Sequence, residues 1–125
     1  MAPEIAAGKT YSTKVDVWAF GCFAFELAKG DPPFSDRDES EMFDAVINDP
    51  VGRIPEKWSP AFADFVEKCL IRDPEERWSI QQLLSHEFMQ NAEQAREGWV
   101  RDYELYLAEK DDGQPAAEQS MIENY

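Results

Sequence analysis

The sequence predicts an all-α fold, four to five helices around one buried central helix. Three observations carry that expectation. The run VDVWAFGCFAFELA is apolar almost all round and holds only Val15 and Val17 as β-branched residues, which marks a buried helix and not a strand. Shorter segments further on repeat their apolar residues at i, i+3, i+4 spacing. Helix-ending and helix-starting residues punctuate the chain where those segments stop and start, and no segment alternates as a half-buried strand would.

The elements follow in order. Ala2-Pro3-Glu4 and the residues after it read as turn and loop, with Gly8 breaking any early helix. The central helix is expected from Lys14 to Lys29, with Gly30 as its stop and Asp31-Pro32-Pro33-Phe34 as a rigid turn. Ser40 is the expected N-cap of a short helix, EMFDAVIND, whose apolar face is Met42, Phe43, Val46 and Ile47. Pro50 ends it, and an irregular connector follows. Ser59 and Pro60 open the next helix, with Phe62, Phe65, Val66, Cys69 and Leu70 as its buried stripe. Asp73-Pro74 starts a turn. Ser79 and Gln82 form a capping box for IQQLLSHEFM, whose core residues are Ile80, Leu83, Leu84 and Phe88. Residues 1–92 thus form one unit. A further amphipathic helix is expected over 93–110, through Ala95, Trp99, Tyr103 and Leu107, and residues 111–125 read as an acidic disordered tail.

At 125 residues, 43% of them hydrophobic, the chain can bury one core. Its 26 acidic and 12 basic side chains leave a net charge of −14, which excludes nucleic acid and anionic membrane surfaces and favours a basic partner. Most of the excess lies in residues 31–49 and 93–125. Cys22 and Cys69 lack Cys-x-x-Cys spacing and read as free thiols of a reducing compartment, cytoplasmic or nuclear. His86 is the one histidine, so His and Cys cannot assemble a metal site; a surface or helix-terminal role is expected for it. No signal peptide is expected, and no apolar run is long enough to span a bilayer.

Nor is there a glycine-rich phosphate loop, a Ser-His-Asp set or a metal cluster, so no catalytic, cofactor or metal residue is assigned. What the chain does carry is a series: APE, KVDVWAFG, PPF, RDPEER and LLSHEFM, in that order. The series resembles the C-terminal lobe of the eukaryotic protein kinase catalytic domain, over residues 1 to about 92. GDPPF, PEKWSPAFADFVEKCLIRDPEERWS and LLSHEFMQNA look most like the sterile-twenty group, in particular its germinal-centre branch, which phosphorylates Ser and Thr. The resemblance implies the helical C-lobe portion of a kinase fold. It also implies ATP and magnesium for the full-length enzyme, none bound by this chain, and a protein substrate or regulator as partner. The nucleotide-binding lobe and the catalytic loop would precede Met1, so the chain is expected to be a fragment or mis-started reading frame, or else a natural truncation, inactive alone. The alternative is a helical interaction module, a kinase remnant kept for binding.

On its own, a Glu4–Arg77 pair reads as a surface ion pair. The resemblance implies a buried pairing that ties the activation segment to the lobe. Asp16, an acid one turn into a greasy helix, reads either as a partner of the helix dipole or, by the resemblance, as support for the catalytic loop. Trp18 reads as core, and Gly21 as a point of close approach by another helix or loop. The acidic stretch with Met42, Phe43, Val46 and Ile47 reads as a solvated face or, by the resemblance, as the docking helix for protein substrates. Trp78 stands where such kinases have a small residue or proline, and is expected beside Arg77, stacking on its guanidinium.

Overall fold

The computed structural model describes residues 1–110; the tail expected over 111–125 lies outside them. Six helices are present among the described residues: α1 (Pro3–Ala6), α2 (Lys14–Lys29), α3 (Glu39–Asn48), α4 (Pro60–Cys69), α5 (Ile80–Leu84) and α6 (Glu87–Lys110). No strand occurs among the described residues, and no helix is long and apolar enough to cross a membrane. The chain divides into a compact unit, Met1–Gln90, and a second that begins at Asn91.

In the first unit α2 packs on α4. Val17, Trp18, Ala24 and Phe25 of α2 and Phe65, Val66 and Cys69 of α4 are buried together. Gly21 makes the approach possible, because a Cβ there would stand 2.6 Å from the Cβ of Cys69 and 2.8 Å from a Leu70 methyl. The helix ends obey local chemistry. Gly30 closes α2 at φ 96°, its N–H bonded to the Glu26 carbonyl. Ser59 Oγ accepts from the Phe62 N–H, and Ser79 and Gln82 form both halves of the capping box.

Several expectations change. Residues 3–6, read as turn and loop, form the short helix α1. The N-cap position of α3 is held by Asp38 and not Ser40; Asp38 is extended, and its carbonyl accepts the Glu41 N–H at 2.9 Å. IQQLLSHEFM is not one helix. Ser85 and His86 form tight turns onto Gln82 and Leu83, and the His86 ring then takes the Phe88 N–H at 3.0 Å, ending α5 and starting α6. From Glu87 the helix runs unbroken to Lys110, so no separate helix starts at 93. Finally, α2 is not buried all round: Phe20, Phe23 and Leu27 are exposed, as are Ile80 and Leu84 of α5.

His86 is buried rather than superficial, although it does serve a helix terminus. Because Nδ1 accepts the Phe88 N–H, the proton sits on Nε2, which donates to Asp64 Oδ2 at 2.7 Å. Burial opposes the Asp64 charge, but the His86 hydrogen bond, the largest effect, and Lys68 nearby hold its carboxyl below the usual range. In the second unit, α6 stacks Trp99 on Tyr103, centroids 5.4 Å apart and rings nearly parallel, with all three of Trp99, Tyr103 and Tyr106 exposed.

Candidate functional site

The strongest constellation of the first unit joins its beginning to its far end. Pro3 starts α1 and carries Glu4 into the interior. The turn after α4 is built by Asp73, whose side chain accepts the Glu75 N–H and whose carbonyl accepts the Arg77 N–H. That turn aims Arg77 inward, where it is 1% exposed. Its Nη1 and Nη2 each donate to one Glu4 oxygen at 2.9 Å, a forked pair. The other donors reach the carbonyls of Lys14 (2.9 Å), Arg72 (3.1 Å) and Ile71 (2.7 Å). All five guanidinium N–H groups therefore have an acceptor. The Trp18 ring lies 5.2 Å from the Arg77 Cζ. Burial by itself raises the Glu4 carboxyl, but the Arg77 hydrogen bonds and charge outweigh it and hold the group below its ordinary value.

The stacking partner of Arg77 is thus Trp18 and not Trp78. Arg77 points toward α2, and the next side chain faces the other way: Trp78 lies under Lys68 Nζ at 5.9 Å and edge-on to His86 at 5.6 Å. Lys14, which the sequence did not single out, closes the arrangement by donating from Nζ to the carbonyls of Pro74, at 2.9 Å, and Arg77. Its position just before the apolar run of α2 was the available signal.

Asp16 is exposed in the first turn of α2. It borders an apolar groove of about 340 Å³ formed with Val17, Phe20, Phe65, Ile80, Leu83, Leu84 and Met89. On α3 the four expected docking residues diverge. Val46 is in the core and Met42, half-buried, packs against it; Phe43 is 52% exposed and Ile47 half-buried. The 3.6-residue period places Val46 inward together with Ala45. Glu39, exposed and four residues before Phe43, shares its side of the helix, and Asp44, also exposed, follows Phe43 in the chain.

Among residues 1–110 no group of three or more His, Cys, Asp or Glu side chains converges. Nor do these residues contain the glycine-rich loop that would cradle the phosphates of ATP.

The protein kinase domain family matches residues 1–89, which span α1 to α5 and both partners of the Glu4–Arg77 clamp. The chain belongs to this family. Serine/threonine-protein kinase pakH of Dictyostelium discoideum is 45% identical over 94 residues, covering 74% of this chain and 18% of the relative. Cst-1 of Caenorhabditis elegans is 40% identical over the same length, covering 74% and 19%. Hippo of Drosophila melanogaster is 37% identical, covering 74% and 14%. The chain therefore spans less than a fifth of the curated serine/threonine kinases it matches. Within the kinase domain the described residues supply an all-α portion.

Proposed function

We propose that this chain is the C-lobe platform of a serine/threonine protein kinase that passes the γ-phosphate of ATP to a protein hydroxyl. Its own residues do structural work for that reaction. Glu4 and Arg77 anchor the end of the activation segment to the helical platform, and the fully bonded, buried fork between them is the observation that supports this reading most directly. Asp16, free of any side-chain bond among the described residues and facing the bare groove, suits a role in holding the catalytic loop. Phe43, rimmed by Glu39 and Asp44, suits a docking point for a basic and apolar stretch of substrate. ATP and magnesium belong to the full-length enzyme, and the 125-residue polypeptide alone transfers no phosphate. The free thiols Cys22 and Cys69 suit a cytoplasmic or nuclear setting.

The test is a chimera in which residues 1–90 replace the matching segment of the pakH kinase domain. The chimera is expected to phosphorylate a generic protein substrate, and Arg77→Ala is expected to abolish that activity. A folded chimera without activity, or activity of the 125-residue polypeptide that Arg77→Ala removes, would overturn the proposal. The bare groove beside α2 favours one second reading, a helical module that binds a partner in place of the rest of a kinase. An inactive chimera together with a stable, monomeric 125-residue chain would favour it.

A further inference from the structure

Helices leave their last four carbonyls without partners inside the helix. At the C-terminus of α3 the sequence offers little to satisfy them: no glycine follows, no basic residue lies in the last turn, and Asp49 is extended before Pro50. The Asp49 N–H returns to the Ala45 carbonyl at 2.9 Å, and the rest of the help comes from elsewhere. Arg72, from the turn after α4, donates from Nε to the Val46 carbonyl at 2.9 Å. Its Nη2 reaches the Asp49 carbonyl and, at a longer 3.4 Å, that of Ala45. A planar cation thus sits across the negative end of the α3 dipole and engages three carbonyls at once. Burial pulls the Arg72 guanidinium below its ordinary pKa while Asp49 pushes it back up, and the group remains a cation. Arg37 Nη2 binds the Asp49 carboxylate at 2.9 Å, a half-exposed contact beside the buried one.

The main chain of Arg72 is itself fixed. Its carbonyl accepts Arg77 Nη2 at 3.1 Å, and the same Nη2 holds Glu4. One residue therefore touches both functional features of the first unit, the activation-segment clamp through its backbone and α3 through its side chain. We propose that Arg72 is a positioning residue that fixes the C-terminal turn of α3 and so sets the angle at which Phe43 and its acidic rim meet a protein substrate. The second half of that statement rests on the docking reading above; the first half does not.

Hydrogen exchange on the full 125-residue chain tests it. Arg72→Ala is expected to speed exchange of the amides of residues 46–49 by about tenfold, with α2 and α4 amides changing less than about twofold. Arg72→Lys, a point charge that cannot span three carbonyls, is expected to fall between the two. Unchanged α3 exchange, or acceleration shared by α2 and α4, would overturn the positioning role. Should the alanine variant fail to fold, Arg72→Lys and Arg72→Gln carry the same comparison. A fluorescein-labelled peptide of four Arg-Leu repeats then separates the two readings. Weaker binding by Phe43→Ala supports docking on α3, and equal binding sinks docking while the exchange data still decide the hold of Arg72 on α3. Binding weakened by Phe43→Ala but untouched by Arg72→Ala would refute the orienting effect.

Discussion

Arg77 has no contact with water to fall back on, so either partner of its fork is costly to lose. Arg77→Ala strands the Glu4 carboxylate in the interior and is expected to cost about 3–5 kcal/mol in denaturant unfolding, beyond what an exposed pair contributes. Acid should act on the same site. The folded pKa of Glu4 lies below its unfolded value, so its stabilisation is complete above the ordinary carboxylate range and fades as pH falls through the lower folded value. Asp64, lowered by His86, adds to the loss in the same direction. Melting temperature is therefore expected to fall on acidification below the ordinary carboxylate range, and Glu4→Gln should flatten that slope while lowering stability at neutral pH. A slope identical in the wild type and Glu4→Gln would show that the carboxylate is not the group being titrated. None of this could be read from spacing, because Glu4 and Arg77 are 73 positions apart. The resemblance to kinases was the only signal that paired them. It could not say that Trp18 would form the stacking face, because the direction of the Arg77 side chain depends on the Asp73 turn.

Helix boundaries were legible wherever local chemistry sets them. Ser59-Pro60, Ser79 with Gln82, and Gly30 each satisfy backbone groups within a few residues, and the chain obeys them. Ser79→Ala is accordingly expected to cost about 1 kcal/mol, seen as a lower urea midpoint with an unchanged slope. The α5–α6 boundary was not legible, because the His86 ring that starts α6 is held by Asp64 from another helix. Gly21 lies between these cases. A glycine inside a helix announces that something comes close, and only the structure shows that it is the Cβ of Cys69. Gly21→Ala would gain about 1 kcal/mol of helix propensity, but must push α2 away from α4 where the helices meet at nearly backbone-level contact. A net destabilisation of about 1–3 kcal/mol is expected from the overpacking; a stabilised variant would mean that α2 and α4 can slide apart freely.

For the whole molecule, the outward-facing apolar residues could not be placed by periodicity alone. Periodicity states that Phe20, Ile80 and Leu84 seek burial, but not whether the covering surface belongs to the same polypeptide. The first unit leaves this seam along α2 uncovered, and self-association at micromolar concentration is the expected result, measurable by light scattering. Phe23→Gln with Leu27→Gln, both at strongly exposed positions, should reduce scattering without lowering the melting temperature. Equal scattering would place the sticky surface elsewhere.

The tight crossing at Gly21 also gives the protein an intrinsic clock. The Cys69 thiol has no accessible area, and burial, against a modest pull from Arg77, pushes its pKa up to about 12. An alkylating reagent at neutral pH therefore finds no thiolate there until α2 lifts away from α4. The rate at which Cys69 becomes labelled would time that separation, without a dye, a tag or an engineered probe.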